Sequence, residues 1–305
     1  MLDVRRLQLL RELAHRGTIA AVAEAMTFTA SAVSQQLSVL EKEAGVALLE
    51  RTGRRVVLTP AGRGLVDHAD AVLARLEQAQ SDLASAREGL GGPLRIGTFP
   101  SAGRTIVPAA LADLVRDHPR LEPMVADIDS ARVADALRAR ELDVALIHDY
   151  DFVPAPPDTT VDTLPLLEER MYLASRAAPG QQAGSVATGA SIADLVLPWR
   201  DAPWITAMPG TTGHTMALRT CRTAGFEPRI RHHVNDFSAV LLFVAAGQGV
   251  ALLPRLGVMD PPPGVRLTGL PAHRRSKVAF RGGSGEHPAV RAFVGSLRTA
   301  IADVL

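Results

Sequence analysis

The sequence predicts an all-α head, one long helix and a C-terminal α/β sandwich made of two similar halves. Three observations carry this. Residues 1–58 read as short helices with small connections, followed by a basic, hairpin-like stretch. Residues 59–90 hold a seven-residue apolar repeat, and residues 93–305 alternate apolar strands with amphipathic helices, the βαβ pattern of an α/β sandwich. A chain of 305 residues has room for two or three domains.

In the head, Leu7, Leu9, Leu10 and Leu13 give a first helix its apolar side, and Gly17 ends it. Thr18 is placed to N-cap a second helix, Ile19–Met26, and Thr27-Phe28 turns the chain. Thr29 caps a third helix running from Ala30 to about Glu43, with Val33, Leu37 and Leu40 spaced for burial. Two short helices joined by a tight turn, with small alanines where they cross, describe a helix-turn-helix. The exposed face of the second would present Thr29, Ala30, Ser31, Ser34, Gln35 and Ser38, short groups suited to base edges and phosphates in a major groove. From Arg51 to Gly64 there are four arginines and no acid. Arg51, Arg54 and Arg55 beside Gly53 fit the wing of a winged helix, where guanidiniums supply affinity through phosphates. The competing reading is a small helical domain whose Ser and Gln simply face solvent.

Thr59-Pro60 is an N-cap followed by proline at the first helical position. Leu65, Ala69, Val72, Leu76, Ala79, Leu83, Ala86 and Leu90 then alternate spacings of four and three, a strict heptad seam. A narrow seam with polar flanks predicts a self-paired dimerisation helix over 59–90, with Leu65 to Leu83 as its contact residues. The competing reading lays that helix on its own domain.

Gly89, Gly91, Gly92 and Pro93 mark a linker. Beyond it, Leu94–Thr98 reads as a strand, Pro100-Ser-Ala-Gly as a turn, and Arg104–His118 as a helix. Strands at Pro123–Ile128 and Leu142–Ile147 flank a helix at Ala131–Arg140. The second half repeats the pattern: strands at Arg170–Ala174 and Trp204–Ala207, a turn at Met208–Gly213, helices through Cys221 and over Phe237–Ala246, and a strand at Val250–Pro254. Pro288–Val304 closes the chain as a helix. Two such halves imply a cleft at the strand ends. Ser101, Ala102, Gly103, His148, Thr206, Pro209, Thr211 and Thr212 are its candidate residues. Their hydroxyls and N–H groups predict a small anionic or zwitterionic effector; ordinary helix caps are the bland alternative.

Composition narrows the classes. A hydrophobic fraction of 47 % excludes whole-chain disorder. Cys221 is the single cysteine, so a disulfide framework and a Cys-based zinc site are excluded. The first thirteen residues alternate charge with leucine, unlike a signal peptide, and no long uncharged apolar stretch exists. The expected location is the cytoplasm. Net charge is +1, but residues 1–65 carry nine basic and six acidic residues (+3), and the remainder 24 and 26 (−2). His214 and Cys221 lie too far apart along a helix to form a catalytic pair. Gly247-Gln-Gly249 is too short for a dinucleotide fingerprint, and His232-His233 face opposite sides of an extended segment. Cys221 reads as core, and Arg274, Arg275 and Lys277 as a solvated strand edge. No enzyme activity, cofactor or metal is expected.

Four runs resemble the LysR-type transcriptional regulators: Ile19–Ala25, Ser31–Leu37, Leu40–Gly45 and Leu48–Gly62. The resemblance implies DNA contacts at Ala30, Ser31, Ser34, Gln35, Arg51 and Arg54. Ala30 departs from the longer polar residue common there, which puts direct readout at that step in doubt. Glu141–Ile147 and Val244–Pro254 resemble the family's effector domain, itself similar to periplasmic binding proteins. The implied organisation is a winged helix-turn-helix (1–58), a linker helix (59–90) and an effector-binding domain (93–305). The latter divides into subdomain I (93–162 and 267–305) and subdomain II (163–266). The implied partners are promoter DNA, a small-molecule effector, RNA polymerase and further copies of the chain as homodimer or homotetramer. Rival readings are a small-molecule-binding protein whose head is an interaction module, an enzyme using the cleft, and an architectural DNA binder without effector control.

Overall fold

Asp3, Thr18 and Thr29 each precede a helix and accept hydrogen bonds from its otherwise orphaned N–H groups. Helices α1 (Val4–Arg16), α2 (Ile19–Ala25) and α3 (Ala30–Ala44) therefore start where their caps stand. Gly17 and Gly45 end α1 and α3 in the left-handed region, at φ +73° and +71°. The computed structural model describes residues 1–52, 55–85, 90–153, 158–177 and 190–304. Leu10, Val22, Val33, Leu37 and Leu40 close the head's core. The wing is an antiparallel hairpin of β1 (Leu49–Thr52) and β2 (Arg55–Leu58), with Leu49 opposite Leu58. Glu41 on α3 accepts the N–H groups of Leu48 and Leu49, both at 3.0 Å, and so fixes where the wing begins.

Helix α4 (Pro60–Ser85) opens on Thr59, whose hydroxyl accepts from Gly62 N–H at 3.0 Å. The seam divides along its length. Ala69 is fully buried in the head's own core, so the expectation that it meets a partner chain is corrected; Leu65, partly buried, packs beside it. Both lie on the turns of α4 that cover α1. Val72, Leu76, Ala79 and Leu83 are exposed. Ala86 and Gly89 lie outside the described residues.

The C-terminal domain begins with β3 (Gly91–Thr98), so Gly91–Pro93 form the first part of a strand rather than a linker. They pair with Arg120–Glu122 in parallel, and a Cβ on Gly91 would stand 3.2 Å from the Arg120 Cβ. After β3 come α5 (Pro100–Arg104), α6 (Ile106–Asp117), β4 (Arg120–Asp127), α7 (Ser130–Arg138) and β5 (Val144–Tyr150). Helix thus starts at Pro100, ahead of the expected Arg104, and is interrupted at Thr105. The long strand β6 (Val161–Arg176) leads to the second half: α8 (Ile192–Val196), β7 (Pro203–Thr206), α9 (Thr212–Thr223), β8 (Arg229–His233), α10 (Phe237–Ala245) and β9 (Ala251–Pro254). A second long strand, β10 (Val265–Arg281), returns, and α11 (Pro288–Val304) packs on α6.

The main sheet has the order β4-β3-β5-β10-β6-β9, and β7 pairs with β8 in parallel. One core gathers Ile96, Ile106, Leu114, Leu146 and Phe293; another gathers Met171, Trp204, Met216, Cys221 and Leu252. Strands β6 and β10 serve both. Leu164 and Leu167 pack on the first core and Met171 and Leu173 in the second; Val278 and Phe280 belong to the first and Leu270 and Ala272 to the second. The chain therefore changes core inside these continuous strands, further along β6 than Asp162 and nearer the end of β10 than Arg266. Their register shifts between Gly269 and His273 at this crossing.

Candidate functional site

Helix α3 exposes Ala30, Ser31, Ser34, Gln35 and Ser38, while Val33, Leu37 and Leu40 hold its other side in the head. Arg6 pins α3 to α1 through Gln36, at 2.9 Å, and through an ion pair with Glu43. Thr29 is exposed, but its hydroxyl already caps Ala32 N–H at 3.2 Å and meets the Ser31 hydroxyl at 3.1 Å. Arg51 is exposed on β1. Arg54 and the side chain of Arg55 lie outside the described residues. Arg63, from the same basic run, donates to Leu58 O at 2.7 Å and so braces the wing.

A cavity of about 250 Å³ lies between the two halves of the C-terminal domain. Ser101, His148, Thr206, Thr211 and Thr212 line it. Ala102, Gly103 and Pro209 do not. Ala102 is turned by α5 into the first core and is fully buried, Gly103 packs on Thr98, and Pro209 sits in the turn before α9, outside the lining. The Thr211 hydroxyl caps α9 by accepting His214 N–H at 3.3 Å. The Thr206 hydroxyl is crowded by His214 Nδ1 at 3.2 Å, His233 Nδ1 at 3.3 Å and Ala207 O at 3.1 Å.

The sequence reading missed Arg274, which it placed on a solvated edge. Arg274 is 1 % exposed. Its guanidinium pairs with Glu169 at 2.6 Å, donates to the Ser101 hydroxyl at 3.0 Å, and stands 4.8 Å over the Phe99 ring. The other Glu169 oxygen accepts Leu256 N–H at 2.7 Å. The signal was present: Ala272, Arg274, Ser276, Val278 and Phe280 alternate along one strand face, and all five are buried. Arg275 and Lys277 do face outward, paired with Asp151 and Asp149.

Phe99, His148 and Tyr150 stack edge-to-face, with centroid spacings of 4.7 and 5.3 Å. Burial, and then the nearby Arg274 charge, push the His148 imidazole down to about 3, so it is neutral at physiological pH. Burial raises the Tyr150 phenol. Cys221 is fully buried in the second core, and desolvation lifts its thiol to about 12. No group of three His, Cys, Asp or Glu able to hold a metal ion occurs among the described residues.

A winged helix-turn-helix, a long helix and a two-lobed ligand cleft define a ligand-responsive transcription regulator. Residues 4–63 match the family of bacterial regulatory helix-turn-helix proteins of the LysR type, and residues 87–302 match the LysR substrate binding domain. The chain belongs to the LysR family of transcriptional regulators. It is 31 % identical over 255 residues to the HTH-type transcriptional regulator TfdS of Cupriavidus pinatubonensis, covering 83 % of this chain and 82 % of that one. It is 28 % identical over 261 residues to the hydrogen peroxide-inducible genes activator of Pectobacterium carotovorum, covering 84 % and 81 %. A full-length OxyR variant from Pseudomonas aeruginosa superposes with a TM-score of 0.58 at 24 % identity, covering 98 % of each chain.

Proposed function

We propose that this regulator binds promoter DNA as a dimer or tetramer and that a small molecule in the cleft sets how it does so. The carrying observation is the cleft itself: it is walled by both halves of the sensor, so occupancy favours one arrangement of those halves over another, which is what an effector needs in order to shift an equilibrium. In this reading Ser31, Ser34 and Gln35 face base edges, and Arg51, with Arg54 and Arg55, holds phosphates. The exposed Val72, Leu76, Ala79 and Leu83 face pairs with a second copy. The sensor reaches that helix directly, because Glu77 on α4 is ion-paired with Arg140 and lies 3.5 Å from Arg281.

The protein acts by binding and not by turnover, with RNA polymerase as a further partner at the promoter. No helix among the described residues is long and apolar enough to cross a membrane, and promoter DNA places the protein in the cytoplasm. The buried, high-pKa thiol of Cys221 argues against a thiol-based peroxide response. Gel retardation on the DNA flanking its own gene, over a salt series, tests the reading. Retardation that weakens steeply with salt is expected; folded protein that fails to retard this DNA at low salt overturns it.

A further inference from the structure

We infer that the sensor cleft takes a ligand bearing an ammonium group on an apolar, aromatic-sized body, and that it disfavours simple anions. The inference rests on the cleft being the effector site. A carboxylate entering a protein cavity needs a positive charge or free donors to replace its water. Arg274 is the one Lys or Arg among the described lining residues. It is already neutralised: the Glu169 carboxylate is 2.6 Å away, both side chains are 1 % exposed, and its remaining reach goes to Ser101 and Tyr150. His148, the next basic group, is held neutral by its burial beside that guanidinium.

The acids of the lining have no such counterweight. Asp127 and Asp129 border the cavity, and neither takes part in an ion pair found among the described residues. Asp129 caps α7, accepting Ala131 N–H at 2.9 Å, so the positive end of α7 offsets about half a charge. The N-terminus of α9, capped by the neutral Thr211, adds about another half. Both carboxylates are exposed, so solvent screens them in part, but the rim stays net negative. The wall beside them suits a cation as well: Ser130, next to Asp129, lies 3.3 Å from His148, and Thr98, next to Phe99, is the register partner of Asp127. Phe99, His148 and Tyr150 form an aromatic ladder, and Phe99 already carries a guanidinium over its ring. Aliphatic side chains such as Ile205, Val240 and Leu252 complete the cavity and call for an apolar body. A zwitterion fits the same arrangement, with its ammonium toward Asp127 and Asp129 and its carboxylate toward the start of α9.

Isothermal titration of the intact chain with four matched probes tests this: 2-phenylethylamine, L-phenylalanine, 3-phenylpropanoate and 2-phenylethanol. The amine or the amino acid should bind about tenfold or more tightly than the acid. The gap should close to within about threefold in the Asp127→Asn/Asp129→Asn double variant. Asparagine also serves as an N-cap, so an unchanged melting temperature confirms that the variant remains folded. If the acid binds as tightly as the amine, or the preference survives both substitutions, the inference is overturned while the cleft keeps its role as a ligand site. If none of the four binds at millimolar concentration, the inference is overturned, while the proposed function stands or falls by its own gel-retardation test.

Discussion

Replacing Arg274 with methionine removes the cation from the point where the sensor changes from one core to the other. Arg274 and Glu169 are register partners on β10 and β6, 2.6 Å apart and each 1 % exposed. After the substitution, Glu169 keeps only the Leu256 N–H as a partner among the described residues, and a buried carboxylate stands without its counter-ion. Breaking one side of such a pair costs about 3–5 kcal/mol. For a domain the size of this sensor, that lowers the melting temperature by roughly 6–20 °C. Replacing both partners, in Glu169→Met/Arg274→Met, removes the orphaned charge and should recover all but about 1 kcal/mol. The assay is urea unfolding followed by tryptophan fluorescence. Both tryptophans of the chain, Trp199 and Trp204, lie in the sensor, so the signal reports that domain and not the head. A coupling energy below about 1 kcal/mol in this double-mutant cycle would refute the reasoning, because it would mean that solvent reaches the pair.

Other expectations follow from single features. Arg51→Ala should weaken binding to all DNA sequences alike and lower the salt slope by about 1; an unchanged slope removes Arg51 from the phosphate contacts. Thr27 holds φ +59°, so Thr27→Asn should stabilise the head by about 0.5–1 kcal/mol in hydrogen exchange of α2 and α3, and a loss instead would show that the turn is not strained. His148 has a folded pKa depressed to about 3 from 6.5. The unfolded chain therefore binds the proton first, and stability falls as pH drops below 6.5. Between pH 6.5 and 5 the sensor should lose about 2 kcal/mol more than a His148→Asn variant does; parallel pH profiles would contradict this. Gly283→Ala would put a Cβ 2.1 Å from the Ala74 carbonyl oxygen at φ +83°. It should push α4 off the sensor and enlarge the radius of gyration in solution scattering, and an unchanged radius would show that this contact does not hold the two parts together.

Local chemistry made much of this protein legible from its sequence. Caps at Thr18, Thr29 and Thr59 and stops at Gly17 and Gly45 need only their immediate neighbours, so the helices of the head fall where those residues stand. The cleft was legible in part, because Ser101, Thr211 and Thr212 sit at helix starts that any strand-turn-helix unit would present. Tertiary structure decided the rest. Whether Ala69 meets a partner or its own head depends on where α4 crosses α1, which no spacing within α4 records. Arg274 belongs to a run of basic residues that looks solvated along the chain, and only the pairing of β10 between β5 and β6 buries it against Glu169, 105 residues away. That pairing also determines the charge of the cleft. The sequence supplied hydroxyls and helix starts suited to an anion, but which acids remain uncompensated depends on which cation each one meets across the fold.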